Sequence, residues 1–178
     1  MNSLFSRLRN WFTPRRLLRL GGELLLLLAF MLAVEAVLTR DAVRGPAPAL
    51  TARLSNGHAF DSAQLRGKPA LIYFWGTWCP VCRAQQGTIT GLAENVSLLT
   101  VAMQSGTDAE VNQYLAQHGL HWQTVADGQG DIARRWGVNG VPAVFVLDGR
   151  GDIRFVTRGY TTELGLRLRV WWVHSTYK

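Results

Sequence analysis

The chain has 178 residues, room for one domain of about 130 residues and an extension. Its net charge of +7 is concentrated at the amino end, where Arg7, Arg9, Arg15, Arg16 and Arg19 precede the first acid. From Gly45 onward the basic excess is small and no basic stripe interleaves with aromatics, which argues against nucleic acid as a partner.

Residues 1–16 read as a basic, cytoplasmic amino terminus and 17–38 as a transmembrane anchor. At about 1.5 Å per residue that helix reaches roughly 33 Å, against a hydrocarbon core of about 30 Å. Its purest part is Leu24–Val34, with Glu23 and Glu35 near its ends, where headgroups and water can reach them. The preceding arginines place the globular part outside the cytoplasm. A cleaved signal peptide is the rival reading, since the pure run is short and Val34-Glu35-Ala36 is a tolerable cleavage site. The overall apolar length and the lack of a strong A-x-A favour retention. Arg15-Arg16-Leu17-Leu18 fits a twin-arginine signal poorly, and no cysteine near Ala36 offers a lipid attachment point. Residues 39–49 then form a linker, semi-rigid over Gly45-Pro46-Ala47-Pro48, that holds domain 50–178 within roughly 35 Å of the bilayer.

Leu50–Phe60 predicts a hairpin turning at Asn56-Gly57. Asp61 or Ser62 caps a short turn through Leu65 that ends at Gly67. Ala70-Leu71-Ile72-Tyr73-Phe74-Trp75 is a short apolar, aromatic and branched run and predicts a buried strand. Arg83-Ala84-Gln85-Gln86 suits a helix, so Cys79-Pro80-Val81-Cys82 lies at a strand-to-helix turn. Val96–Ala102 predicts a central strand. Thr107 or Asp108 caps a helix to His118, stopped by Gly119, with Val111, Leu115 and His118 on one face. Trp122–Ala126 is a short strand, Asp131–Trp136 a helix, Val141–Leu147 a strand, Gly149-Arg150-Gly151 a turn and Ile153–Thr157 its hairpin partner. A last helix runs from Thr161 to about Trp172, and Trp171 and Trp172 are expected to pack it onto the sheet. The alternative for that pair is a membrane interface.

Pro80 fits the first helical position, where its missing N–H costs nothing. Cys79 is then the N-cap, facing unpaired backbone N–H groups and the positive end of the helix dipole. Such a site favours a thiolate and should lower the thiol pKa from about 8.5 toward roughly 7 or below. Cys82 lies one turn inward, close enough to form a disulfide with Cys79. An exposed acidic thiol with a resolving thiol behind it is the layout for disulfide exchange. A purely structural bridge would close too small a loop to constrain the unfolded chain. Zinc wants four ligands, and the histidines His58, His118, His121 and His174 are scattered. Two thiolates can hold copper(I), a reading kept open as a side activity.

The stretch Phe74–Arg83, FWGTWCPVCR, resembles the active site of the thioredoxin superfamily, and within it the membrane-tethered, TlpA-like branch of bacterial extracytoplasmic thiol–disulfide oxidoreductases. The resemblance covers roughly Ala47 to Leu168. It implies an α/β, thioredoxin-like fold: a central sheet flanked by helices, with an amino-terminal hairpin extension, on a single transmembrane helix. The implied place is the bacterial inner membrane, amino terminus cytoplasmic and catalytic domain periplasmic. Pro142 matches the family's cis-proline, so Val141–Pro142 is expected to be cis and to pack against Cys79 and Cys82. Trp78, Pro80, Val81, Val141 and Pro142 would shape the substrate groove. The implied partners are disulfide-bearing or thiol proteins and a DsbD-type membrane electron donor. No cofactor or metal is implied beyond the redox-active cysteine pair. A role in copper tolerance is also implied, with a thiol reductase for cytochrome c maturation as the alternative.

Two positions depart from the pattern. Thioredoxin buries a proton-accepting aspartate where this chain has Tyr73, and TlpA-like reductases often carry a glutamate where it has Gln85. Water, the backbone or Tyr73 would then deprotonate Cys82. A copper chaperone of the M-x-C-x-x-C type would have Met in place of Trp78, and a peroxiredoxin would have Thr in place of Gly76.

Overall fold

The computed structural model describes residues 14–177; most of the basic terminus expected at 1–16 lies outside them. The chain divides into two compact units between Arg40 and Asp41. The first contains helix α1, Pro14–Thr39. Its large apolar side chains, among them Leu24 to Leu28, Phe30 and Met31, are exposed. Among the described residues no helix is long and apolar enough to cross a membrane. Gly21, Gly22 and Glu23 interrupt the sequence ahead of Leu24. The unbroken run Leu24–Val34 then reaches only about 17 Å as a helix.

The second unit carries a six-stranded mixed sheet in the order β1-β8-β7-β4-β5-β6, with a separate hairpin β2-β3. The strands are β1 Gly45–Pro46, β2 Thr51–Arg53, β3 Ala59–Asp61, β4 Ala70–Trp75, β5 Ser97–Met103, β6 Thr124–Asp127, β7 Ala143–Leu147 and β8 Asp152–Arg158. The helices are α2 Pro80–Ala93, α3 Asp108–Gln117, α4 Asp131–Arg135 and α5 Glu163–Thr176. β4 pairs in parallel with β5 and antiparallel with β7, which makes it a fully covered central strand. Its alternating side chains serve both cores, as a period of two requires. Ala70, Ile72 and Phe74 join Leu50, Phe60, Trp136 and Phe145 on one face. Leu71, Tyr73 and Trp75 join Ile89, Val111, Leu115, Leu166 and Val173, from α2, α3 and α5, on the other.

The local signals hold. The β2-β3 turn has Gly57 at φ +90, and the Asn56 side chain accepts from the His58 N–H at 3.1 Å. Asp61 caps the 3₁₀ turn Ser62–Leu65 through the Ala63 N–H. Thr107 and Glu110 form a reciprocal capping box at the start of α3. His118 ends up exposed, stacked on Tyr114 with ring centroids 4.0 Å apart.

Several expectations are corrected. The segment expected as linker is partly built into the domain. β1 pairs with Asp152 and Ile153 of β8, Ala42 is buried, and the Val43 N–H donates to Trp136 O at 3.3 Å. Gly137, at φ +66, allows this close approach; a Cβ there would collide with the Asp41 carbonyl. β6 starts at Thr124 rather than Trp122, because its pairing with β5 begins at Thr100 opposite Thr124; the Trp122 indole donates to Thr90 Oγ1 at 3.1 Å. β7 starts at Ala143, after Val141 and Pro142. Trp171 and Trp172 do not pack on the sheet. They are exposed, while Leu166 and Val173 take the inner face of α5.

Candidate active site

Parallel pairing with β5 brings the carboxyl end of β4 to the rim of the sheet, where loops converge in open α/β folds. The chain leaves β4 at Trp75, turns through Gly76-Thr77-Trp78 and enters α2 at Pro80, the N1 residue. Cys79 is the N-cap with extended backbone (φ −92, ψ 111), and its Sγ accepts the Cys82 N–H at 3.1 Å. The sulfur therefore stands where a serine or aspartate oxygen caps other helices, against a backbone donor and the positive end of the dipole. Cys79 and Cys82 are joined as a disulfide, with Cα atoms 5.3 Å apart. Cys79 is only 4 % exposed and Cys82 1 %, so Cys79 is more enclosed than an open thiol. Trp78 and Val81, by contrast, stand out into solvent on either side of it.

The Val141–Pro142 peptide is cis, as the resemblance implied. The Val141 carbonyl oxygen lies 3.7 Å from Cys79 Sγ. The Pro142 carbonyl accepts from the Gly159 N–H at 2.8 Å, which ties this loop to the end of β8. Cys79, Cys82, Val141 and Pro142 are thus brought together, and Trp78, Pro80 and Val81 complete the rim.

The site depends on a loop that sequence reasoning did not single out. The residues just after β5 hold the turn before Cys79. Ser105 Oγ accepts the Thr77 N–H at 3.0 Å and donates to Met103 O at 3.0 Å. The Trp78 indole donates to the same Met103 carbonyl at 3.2 Å. Gly76 is required beneath that ring, since a Cβ would sit 2.7 Å from it. The available signal was the polar Gln104-Ser105-Gly106 segment closing the strand parallel to β4.

Tyr73 and Gln85 are both fully buried. The Tyr73 hydroxyl donates to the Cys82 carbonyl at 3.5 Å. Burial, with a smaller push from the Tyr114 phenol, raises its pKa far above the ordinary value. Tyr73 thus keeps its proton and donates a hydrogen bond to backbone at Cys82. Gln85 accepts the Thr161 N–H at 3.4 Å, and its Nε2 has no partner among the described residues. The buried carboxylates are engaged elsewhere: Asp127 accepts the Ile132 and Ala133 N–H groups, and Asp148 pairs with Arg154.

A helix-capping cysteine bridged to a second one turn on, just beyond the central strand of a mixed sheet and faced by a cis-proline, defines a thioredoxin-like thiol:disulfide oxidoreductase whose redox centre is Cys79–Cys82. Residues 42–165 match the Redoxin family model, and the chain belongs to that family. It is 35 % identical over 158 residues to a thioredoxin-like protein of Haemophilus influenzae, across 88 % of this chain and 94 % of the relative. It is 31 % identical over 160 residues to the thiol:disulfide interchange protein DsbE of Yersinia pestis, across 83 % of this chain and 82 % of the relative. A secreted Mycobacterium tuberculosis disulfide oxidoreductase, homologous to E. coli DsbE, has a similar solved structure. It aligns with a TM-score of 0.61 at 27 % identity over 69 % of this chain and 95 % of the other.

Proposed function

We propose that the protein is an extracytoplasmic thiol reductase, tethered to the bacterial inner membrane, in which Cys79 attacks and Cys82 resolves. The observation that carries this reading is the sulfur of Cys79 capping α2 beside Val141 and the rim of the site. In the reduced protein the Cys79 thiolate attacks one sulfur of a substrate disulfide and the substrate's other sulfur leaves as thiolate. Cys82, losing its proton, then attacks Cys79 Sγ. The mixed disulfide breaks, the second substrate thiol departs, and Cys79–Cys82 forms as two electrons pass to the substrate. Trp78, Pro80, Val81, Val141 and Pro142 form the groove that receives the substrate segment. The oxidised pair is reduced again by a DsbD-type membrane donor.

The tether is α1, and the catalytic domain is the compact unit that begins at Asp41. The exposed leucines of α1 and the arginines before and at its start support the tether, and the secreted M. tuberculosis relative supports a place outside the cytoplasm. Likeness of Trp75–Arg83 to the suppressor for copper sensitivity protein D supports a role in copper tolerance; the relatives named DsbE favour general thiol:disulfide interchange beside it. The alternatives are a thiol reductase for cytochrome c maturation and a copper(I) module built on the two thiolates.

Trapping tests the cysteine roles. Cys82→Ser should accumulate covalent adducts that a reductant releases, and Cys79→Ser should accumulate few. Equal trapping on non-reducing gels would reverse or void the assignment. A reduction potential near about −270 mV would mark a reductant and one near about −120 mV an oxidant. Carbonate-washed membranes should retain the full chain, and a mature amino terminus at Val37 would remove the tether.

A further inference from the structure

Helix α5 is apolar on two faces. Leu166, Val170 and Val173 point inward, with Leu166 and Val173 fully buried. Leu164, Leu168, Trp171 and Trp172 also follow helical spacing, yet they stand outward with 52–67 % of their surface exposed. Packing within the domain therefore accounts for only one of the two stripes. The outer stripe adjoins a hollow of about 450 Å³ in which Trp171 meets Val170, Leu92, Lys68, Arg167 and His174, and no carboxylate lines it. Arg167 is held by Glu163 on the same helix at 2.8 Å, so Lys68 is the cation of this lining without an acidic partner among the described residues, and apolar wall, indole and that ammonium together complement an anionic headgroup above acyl chain. Neighbouring tryptophans beside an aliphatic stripe and basic residues are the composition that lies in a bilayer interface.

We propose that the outer face of α5 docks the domain on an anionic phospholipid surface. The headgroup phosphate sits at Lys68, beside the Arg167–Glu163 pair, while Leu164, Leu168, Trp171 and Trp172 enter the headgroup–acyl boundary. The hollow lies at the carboxyl end of α2, whereas Cys79 caps the amino end of the same 14-residue helix. About 21 Å of helix separates the two, so a docked domain keeps its disulfide clear of lipid. The contact is separate from any attachment through α1.

The test uses the full chain in vesicles of phosphatidylglycerol or phosphatidylcholine with brominated acyl chains, which quench nearby tryptophan. Comparison with the Trp171→Phe/Trp172→Phe variant isolates the pair from the other tryptophans. In phosphatidylglycerol the wild-type emission should be quenched about twofold more than the variant's, as an interfacial helix requires. The difference should shrink in phosphatidylcholine and with Lys68→Glu. Equal quenching of wild type and variant would overturn the proposal. So would a difference that ignores lipid charge, or a vesicle-free dimer that the variant abolishes, which would give the stripe to a second copy. Carbonate extraction of the same vesicles reports α1, and reduction of insulin reports exchange, so failure of either is told apart from failure of this contact.

Discussion

Strand β4 and helix α1 each carry an unbroken apolar run, Ala70–Trp75 in one and Leu24–Val34 in the other. No residue of β4 keeps more than 1 % of its surface. In α1 the leucines from 24 to 28 keep between 54 % and 73 %. Composition does not separate the two; partners do. β4 has a strand on each side and a packed layer on each face, and its six side chains are divided between two cores. α1 gains nothing comparable within its own unit, so its apolar surface is available to whatever solvent or lipid surrounds it. The same contrast recurs inside α5, whose inner stripe is a core face and whose outer stripe is not.

The contrast breaks most sharply at its centre. Phe74 lies against Trp136 and Phe145 with ring centroids 5.8 and 5.5 Å away. Phe74→Ala should cost about 3–5 kcal/mol in urea unfolding, as buried aromatic truncations do. Leu26→Ala in α1 should stay within about 0.5 kcal/mol. Comparable losses would mean that α1 is packed into the domain and the contrast is wrong.

Smaller effects probe polar groups that the buried layers enclose. Asp127 ends β6, next to the strand parallel to β4, and accepts the Ile132 and Ala133 N–H groups at 3.1 and 2.9 Å. Asp127→Ala leaves both donors without it, and a loss of about 1–3 kcal/mol is expected. Hydrogen exchange should locate it in α4.

Asp148 follows β7. Burial opposes its ionisation, but the Arg154 guanidinium and the Asp152 and Arg150 N–H groups outweigh burial and hold its pKa below the ordinary 3.8. Its folded value is the lower one, so its contribution is fully present above about pH 4 and is lost as pH falls through that lowered value. Asp148→Asn should lower the urea midpoint at pH 7, and the gap from wild type should narrow in acid. A gap constant down to acid pH would refute the pairing.

The smallest effect belongs to Tyr73. Its 3.5 Å hydrogen bond is long, and Tyr73→Phe should cost about 1 kcal/mol or less. Exchange rates of the variant should match wild type across neutral pH, because a phenol whose pKa is raised by burial keeps its own proton there. A tenfold fall in rate with the fold intact would restore Tyr73 as a participant in the chemistry.

What the sequence determined by itself was local. Pro80 at N1 behind a capping Cys79, the Asn56-Gly57 turn, a cap at Thr107 or Asp108 and the apolar run of β4 are each settled within a few residues, where steric and hydrogen-bond preferences are strong. Family likeness added the cis peptide before Pro142. Tertiary structure decided what depends on chain segments meeting across the sheet. Ser105 and Met103 support Thr77 and Trp78 from 25 to 28 residues away, and β1 finds β8 across the length of the domain. Gln85 and Tyr73 are enclosed by helices that no local pattern orients. Trp171 and Trp172 face outward because Leu166 and Val173 fill the one side of α5 that meets the core. A helix made apolar on two faces does not reveal which face will be buried; the shape of the surface it lands on makes that choice.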